Sequence, residues 1–139
     1  MKKREPITHI MTKDVKTVNL THSLEDAEAI LKKNHIRHIP VVSGENIIGM
    51  LSLTDLLRIS FVDNYGEEEV DVDTVVYDML SIDQVMVKNP VTVSVHSTIR
   101  EVAEILAERE FHALPVVDGT KLVGIVTTTD LIKYLLEQY

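Results

Sequence analysis

Cysteine is absent from the 139 residues, so neither a disulfide framework nor a thiolate metal site is available, and nothing marks the chain as secreted. Tryptophan is absent too, and aromatics make up only 4%, too few for a base-stacking platform along a nucleic acid. No block of lysine or arginine is long enough to track a phosphate backbone. With a formal net charge of −8, counterion release, the main source of nucleic-acid affinity, has no basic face to work from. The same balance disfavours anionic membrane surfaces. No apolar run approaches the roughly 18 residues of a membrane span. Met1-Lys2-Lys3-Arg4-Glu5-Pro6 is basic, yet no apolar signal-peptide core follows it. The expectation is a cytoplasmic protein with neither nucleic acid nor membrane as partner.

What is present is an ordinary globular composition, 45% apolar. A chain of this length buries roughly two thirds of its unfolded surface as one compact domain. The sequence also repeats itself. Sliding Ile10–Leu57 onto Val85–Ile132, an offset of 75, aligns the halves without a gap, and 14 of the 48 pairs are identical. Among them are Met11/Met86, Val18/Val93, Pro40/Pro115, Gly44/Gly119, Gly49/Gly124 and Asp55/Asp130.

Each half predicts the same elements. An extended stretch (Lys16–Leu20; Val91–Val95) leads to Ser23 with Asp26, or Thr98 with Glu101, at capping-box spacing. Leu24, Ala27, Ile30 and Leu31, or Ile99, Val102, Ile105 and Leu106, follow at helical periodicity. Two strands come next, His38–Ser43 and Asn46–Ser52, then Ala113–Asp118 and Lys121–Thr127, each pair turning at Gly44 or Gly119. A second helix opens at Thr54-Asp55 and at Thr129-Asp130. The expected class is α/β (α+β): strand–helix–strand–strand–helix, twice. The boundaries read as repeat 1 at 1–62, a linker at 63–84 and repeat 2 at 85–139. Some 50 residues bury too little surface to stand alone, so the copies are expected to pack as one module. The connection Arg58–Gln84 is long; its start extends the second helix through Phe61, and Thr74–Leu80 reads as a short helical turn. Its acidic run, Glu67-Glu68-Glu69 with Asp71 and Asp73, lacks calcium-loop spacing and reads as a solvated linker.

Ile10-Met11 before a Thr-Val strand, His38-Ile39-Pro40-Val41-Val42 and Gly49-Met50-Leu51-Ser52-Leu53-Thr54-Asp55 together resemble the CBS (cystathionine β-synthase) family in its tandem Bateman form. The second copy repeats the pattern as Val85-Met86, Ala113-Leu114-Pro115-Val116-Val117 and Gly124-Ile125-Val126-Thr127-Thr128-Thr129-Asp130. The resemblance covers about 120 residues. It implies two repeats related by a pseudo-twofold, a cleft between them and frequent dimerisation of modules. It also implies, as regulatory ligand, AMP, ADP, ATP, S-adenosylmethionine or a related molecule, with no prosthetic group.

The residues supply a chemistry for that implication. Ser52 and Asp55, like Thr127 and Asp130, stand where a strand ends and a helix begins. Unpaired N–H groups and partial positive charge at a helix start suit phosphate, and a Ser or Thr hydroxyl adds a donor. The acid suits a ribose diol instead. Capping alone accounts for Ser52, Thr54 or Asp55 taken singly; recurrence in the second copy, at Thr127, Thr129 and Asp130, favours nucleotide contact. By resemblance the base lies among Thr17-Val18, Ile39-Pro40 and Met50-Leu51, or Thr92-Val93, Leu114-Pro115 and Ile125-Val126. Arg37 and His38 stand where the family reaches phosphate. Their counterparts are His112 and Ala113, so the second site is expected to be poorer in charge.

No catalytic or metal set stands out. There is no phosphate-loop glycine motif, no cysteine nucleophile and no identifiable Ser-His-Asp set. His35-x-x-His38 has no third ligand. A non-catalytic nucleotide sensor acting on an unknown effector is therefore expected; the rivals are a dimerisation platform with vestigial clefts and a weak nucleotide hydrolase. Leu131, Ile132, Leu135 and Leu136, with Leu56, Leu57 and Phe61, offer more apolar surface than one module needs, which predicts a homodimer.

Overall fold

The computed structural model describes residues 4–63 and 79–139, without the side chains of 60–63. The acidic run, most of the expected Thr74–Leu80 turn and the side chain of Phe61 lie outside the described residues. Among the described residues five α-helices and six strands follow in this order: α1 (Leu24–Lys33), β1 (His38–Ser43), β2 (Asn46–Ser52), α2 (Leu53–Asp63), α3 (Ile82–Val85), β3 (Val87–Lys88), β4 (Val93–Ser94), α4 (Ile99–Arg109), β5 (Ala113–Asp118), β6 (Lys121–Thr127) and α5 (Thr128–Glu137). A 3₁₀ turn, Ile7–His9, precedes them. The mixed class is that expected from the sequence, and α1–β1–β2–α2 and β4–α4–β5–β6–α5 follow the expected order; the 3₁₀ turn, α3 and β3 are additions to it.

Helix starts follow local chemistry. Ser23 Oγ accepts from the Asp26 N–H at 3.0 Å while Asp26 Oδ2 accepts from the Ser23 N–H at 3.0 Å, closing the capping box of α1. Thr98 and Glu101 close the box of α4 at 3.1 and 3.0 Å. The hydrogen bonds to Ser23, first the backbone one, hold the Asp26 carboxyl below the usual carboxylate range. Leu24, Ala27 and Leu31 on α1, and Ile99, Val102 and Leu106 on α4, are buried, while Ile30 and Ile105 pack at the margins of the cores. Both helices end on a left-handed non-glycine residue or just before one: His35 at φ 54° and Glu110 at φ 57°.

The hairpins have the expected ends. β1 and β2 pair antiparallel from His38↔Ser52 to Ser43↔Asn46, and β5 and β6 from Ala113↔Thr127 to Asp118↔Lys121. Gly44 and Gly119 begin the two-residue turns at φ +63° and +66°, where a side chain would strain the backbone. The extended stretches are shorter than expected: Val18 forms a single parallel bridge to Val41, and β4 is two residues pairing parallel with β5. α2 and α5 each begin one residue earlier than the sequence suggested.

The chain forms two compact units, Lys16–Pro90 (the middle unit) and Met1–Val15 with Val91–Tyr139 (the terminal unit). Each takes its leading segment from the other repeat. In the middle unit Ile82 is fully buried and β3 pairs with β2 through Met50↔Val87. In the terminal unit Ile7, its counterpart at offset 75, is fully buried, and Thr12 bridges Ile125 on β6. The same segment leaves no room for a side chain on two glycines. A Cβ at Gly49 would lie 2.3 Å from Met86 Sδ, and one at Gly124 2.7 Å from Met11 Sδ and 3.0 Å from the Thr12 carbonyl oxygen. Close approach of a methionine, repeated in both units, explains glycine in mid-strand. Leu56 needs correction: expected to offer apolar surface, it is fully buried in the core of the middle unit. Leu57 beside it is 52% exposed, and Ile132, Leu135 and Leu136 are exposed as expected.

Candidate functional site

Antiparallel pairing brings the start of the first hairpin strand beside the end of the second, and the following helix starts from that corner. In the middle unit His38 is paired with Ser52, and the Leu53 N–H donates to the Arg37 carbonyl at 2.8 Å. The Asp55 N–H donates to Ser52 Oγ at 3.0 Å. Arg37, His38, Ser52 and Asp55 therefore gather at the first turn of α2, with the Arg37 side chain exposed. Asp55 Oδ1 also lies 3.7 Å from Arg58 Nη1, one turn on. That ion pair is largely solvated and contributes little.

The apolar candidates line up along the same hairpin. The Val18 N–H donates to the Pro40 carbonyl at 3.1 Å and the Val42 N–H to the Val18 carbonyl at 2.8 Å. Ile39 pairs with Leu51, and Pro40 with Met50. Val18, Ile39, Pro40, Met50 and Leu51 are buried; Thr17 is half-buried. The slot expected from the sequence is also part of the core wall.

The terminal unit repeats this corner. The Thr128 N–H donates to the His112 carbonyl at 3.0 Å, and Ala113 pairs with Thr127. Val93 pairs with Val116, Leu114 with Val126 and Pro115 with Ile125; Thr92 is half-buried. Here the cap is closed on both sides. The Asp130 N–H donates to Thr127 Oγ1 at 3.1 Å, and Asp130 Oδ2 accepts from the Thr127 N–H at 2.9 Å. Ser52 thus caps its helix, one of the capping roles open to it in the sequence, and Thr127 and Asp130 form a cap in the second copy. A cap leaves capacity: a carboxylate offers about four lone-pair positions, and this bond uses one. Thr54 and Thr129 are exposed, one residue before each acid.

The two corners share a backbone and differ in charge. Arg37, His38 and Arg58 of the middle unit correspond at offset 75 to His112, Ala113 and Lys133 of the terminal unit. The sequence reading missed Arg58, although its i,i+3 spacing from Asp55 on a helix was the available signal. Among the described residues, no three or more His, Asp or Glu gather as a metal site. No helix among them is long and apolar enough to cross a membrane.

The CBS domain model matches residues 7–61 and 82–137. The uncharacterized protein MJ1404 of Methanocaldococcus jannaschii is 31% identical over 134 residues, 94% of this chain and 32% of its own length. The crystal structure of MJ1225 from the same organism superposes with a TM-score of 0.82 at 25% identity, over 97% of this chain and 49% of that one. This chain thus spans a third to a half of the curated relatives it first matches. Two other solved chains share the fold over nearly their whole length. CBSX2 in complex with AMP superposes at TM-score 0.79 and 23% identity, over 96% of this chain and 98% of that one. The CBS domain pair of MJ0100, in complex with 5′-methylthioadenosine and S-adenosyl-L-methionine, gives 0.78 at 22%, with the same coverages.

Proposed function

The chain belongs to the CBS-domain family, and we propose that its two repeats form a regulatory module that binds an adenine nucleotide without transforming it. One observation carries the reading. In both units a Ser/Thr-x-x-Asp corner opens a helix directly beside the basic position Arg37 or His112 and the buried Val-Pro wall. A helix start and a hydroxyl favour phosphate, and the carboxylate favours the ribose diol. The ligands of CBSX2 and MJ0100 share an adenine base on a ribose 2′,3′-diol, the part that the apolar wall and the carboxylate of such a corner would recognise.

The site residues follow by position. Arg37, His38, Ser52 and Thr54 serve phosphate in the middle unit, with Asp55 on ribose and Thr17, Val18, Ile39 and Pro40 on the base. His112, Thr127, Thr129, Asp130, Thr92, Val93, Leu114 and Pro115 take the same parts in the terminal unit. Exposed Leu57, Ile132, Leu135 and Leu136 support a homodimer. Nucleotide binding then biases contacts with a cytoplasmic effector by its difference in affinity for the two states.

Native mass spectrometry of the freshly purified protein, followed by calorimetric titration with AMP, ADP, ATP and S-adenosylmethionine, tests the reading. A ligand at a hundred times its Kd stabilises the fold by about 2.7 kcal/mol. No binding and no melting shift at millimolar concentration would leave a dimerisation platform. Conversion of ATP in the presence of magnesium would make the protein an enzyme, and sedimentation as a monomer at micromolar concentration would remove the dimer.

A further inference from the structure

In the terminal unit the arm from Glu5 to Thr12 is held by backbone and by side chains. The Ile99 N–H donates to the Glu5 carbonyl at 2.8 Å and the Ile7 N–H to the Ser97 carbonyl at 2.9 Å. Thr12 and Ile125 exchange N–H···O bonds of 2.8 and 3.0 Å. Ile7 is fully buried. Ile10 and Met11 pack against the same core, and a further tie is polar. The Tyr134 hydroxyl, on α5, donates to Glu5 Oε1 at 3.1 Å, and His9 Nδ1 lies 3.5 Å from Glu5 Oε2. Tyr134 is only 6% exposed.

The molecule carries its own control. At offset 75 Glu5 corresponds to Leu80 and Tyr134 to Ile59. Both are apolar and both pack partly buried against the core of the middle unit. Equivalent segments are thus fastened in two ways. Apolar contact is non-directional and survives small slips. A carboxylate–phenol hydrogen bond is directional, and when it breaks it leaves a buried hydroxyl without its partner.

We propose that Glu5–Tyr134 is a clasp that makes docking of the N-terminal arm an all-or-none event in the terminal unit alone. Opening frees the Ile125 N–H and carbonyl on β6 and uncovers Ile7. Because Tyr134 follows Asp130 by one turn of α5, the state of the arm reaches the helix that starts at the Thr127 corner. The clasp itself does not depend on nucleotide binding there.

Hydrogen exchange on the whole protein, without nucleotide, tests it. Tyr134→Phe keeps the ring and removes the donor. Exchange at the Ile7, Thr12, Ile99 and Ile125 amides should rise roughly tenfold, the loss of a hydrogen bond to a charged group. The Val18, Val42 and Leu53 amides of the middle unit should be unchanged. Glu5→Leu combined with Tyr134→Ile, which copies the other unit, should restore protection. Glu5→Ala, which removes the acceptor, carries the test if Tyr134→Phe does not fold, with the same rise in exchange expected. Parent-like exchange, equal acceleration in both units, or no rescue by the apolar pair would overturn the clasp.

Discussion

Asp130→Ala separates a helix cap from a ligand contact, because the two roles lie in different measurements. In the free protein the substitution removes one bond, Asp130 Oδ2 to the Thr127 N–H at 2.9 Å. The other half of the box, Asp130 N–H to Thr127 Oγ1, is made by backbone and survives. The cost is about 0.5–1 kcal/mol, from one lost cap partner and one fewer negative charge in the first turn. Urea unfolding of the ligand-free protein reads it as a shift in midpoint at unchanged slope. In the complex the same carboxylate is assigned to a ribose diol. Hydrogen bonds to a charged group contribute about 1.5–3 kcal/mol, so affinity should fall roughly 10- to 150-fold. Asp55→Ala should lose less stability, because the carboxylate's recorded partner is the solvated Arg58 at 3.7 Å, yet it should lose affinity similarly and matter more for ATP. Arg37→Ala should weaken ATP more than adenosine, and the difference should shrink with salt. Calorimetry with ATP, AMP and adenosine on folded variants completes the set. Aspartate variants that lose stability as stated but bind all three like the parent would refute the assignment and leave these residues as caps.

Other outcomes follow from the packing. Gly49→Ala should cost about 1–3 kcal/mol and couple strongly to Met86→Ala in a double-mutant cycle, since its close contacts are all Met86 side-chain atoms. Gly124→Ala should couple less to Met11→Ala, because the Thr12 carbonyl oxygen stays at 3.0 Å; equal coupling in both cycles would contradict the geometry. Glu110→Gly should stabilise by about 0.5–1 kcal/mol, read as a few degrees in Tm, because φ 57° is strained for any residue with a Cβ. Asp26 has a folded pKa below its unfolded value, so its stabilisation is present above the unfolded pKa and lost as pH falls through the folded one. Asp26→Asn should therefore lower stability at neutral pH and flatten the acid limb below about pH 4. Tyr134 runs the other way. Burial first, then Glu5, raises its phenol, so its stabilisation is present below the unfolded pKa and lost as pH rises through the folded one. Tyr134→Phe should remove that alkaline loss from the unfolding curve.

Much of this protein was legible in the chain because local chemistry determines it. The hairpins were placed by short apolar runs on either side of Gly44 and Gly119, whose positive φ the turns require. The helices were placed by Ser23/Asp26 and Thr98/Glu101, where two orphan N–H groups are satisfied within four residues. Because β1 pairs with β2 end to end, the hairpin brings Arg37 beside Ser52 and Asp55, whereas in the sequence only the family resemblance points to Arg37. Tertiary structure decided what local signals do not encode. That Ile7 and Met11 pack in the unit of the second repeat, and Ile82 and Met86 in that of the first, depends on burial between distant segments. Helical periodicity could not choose between the adjacent Leu56 and Leu57, and the core took Leu56. The Glu5–Tyr134 bond joins residues 129 apart, a pairing that only the closed fold creates.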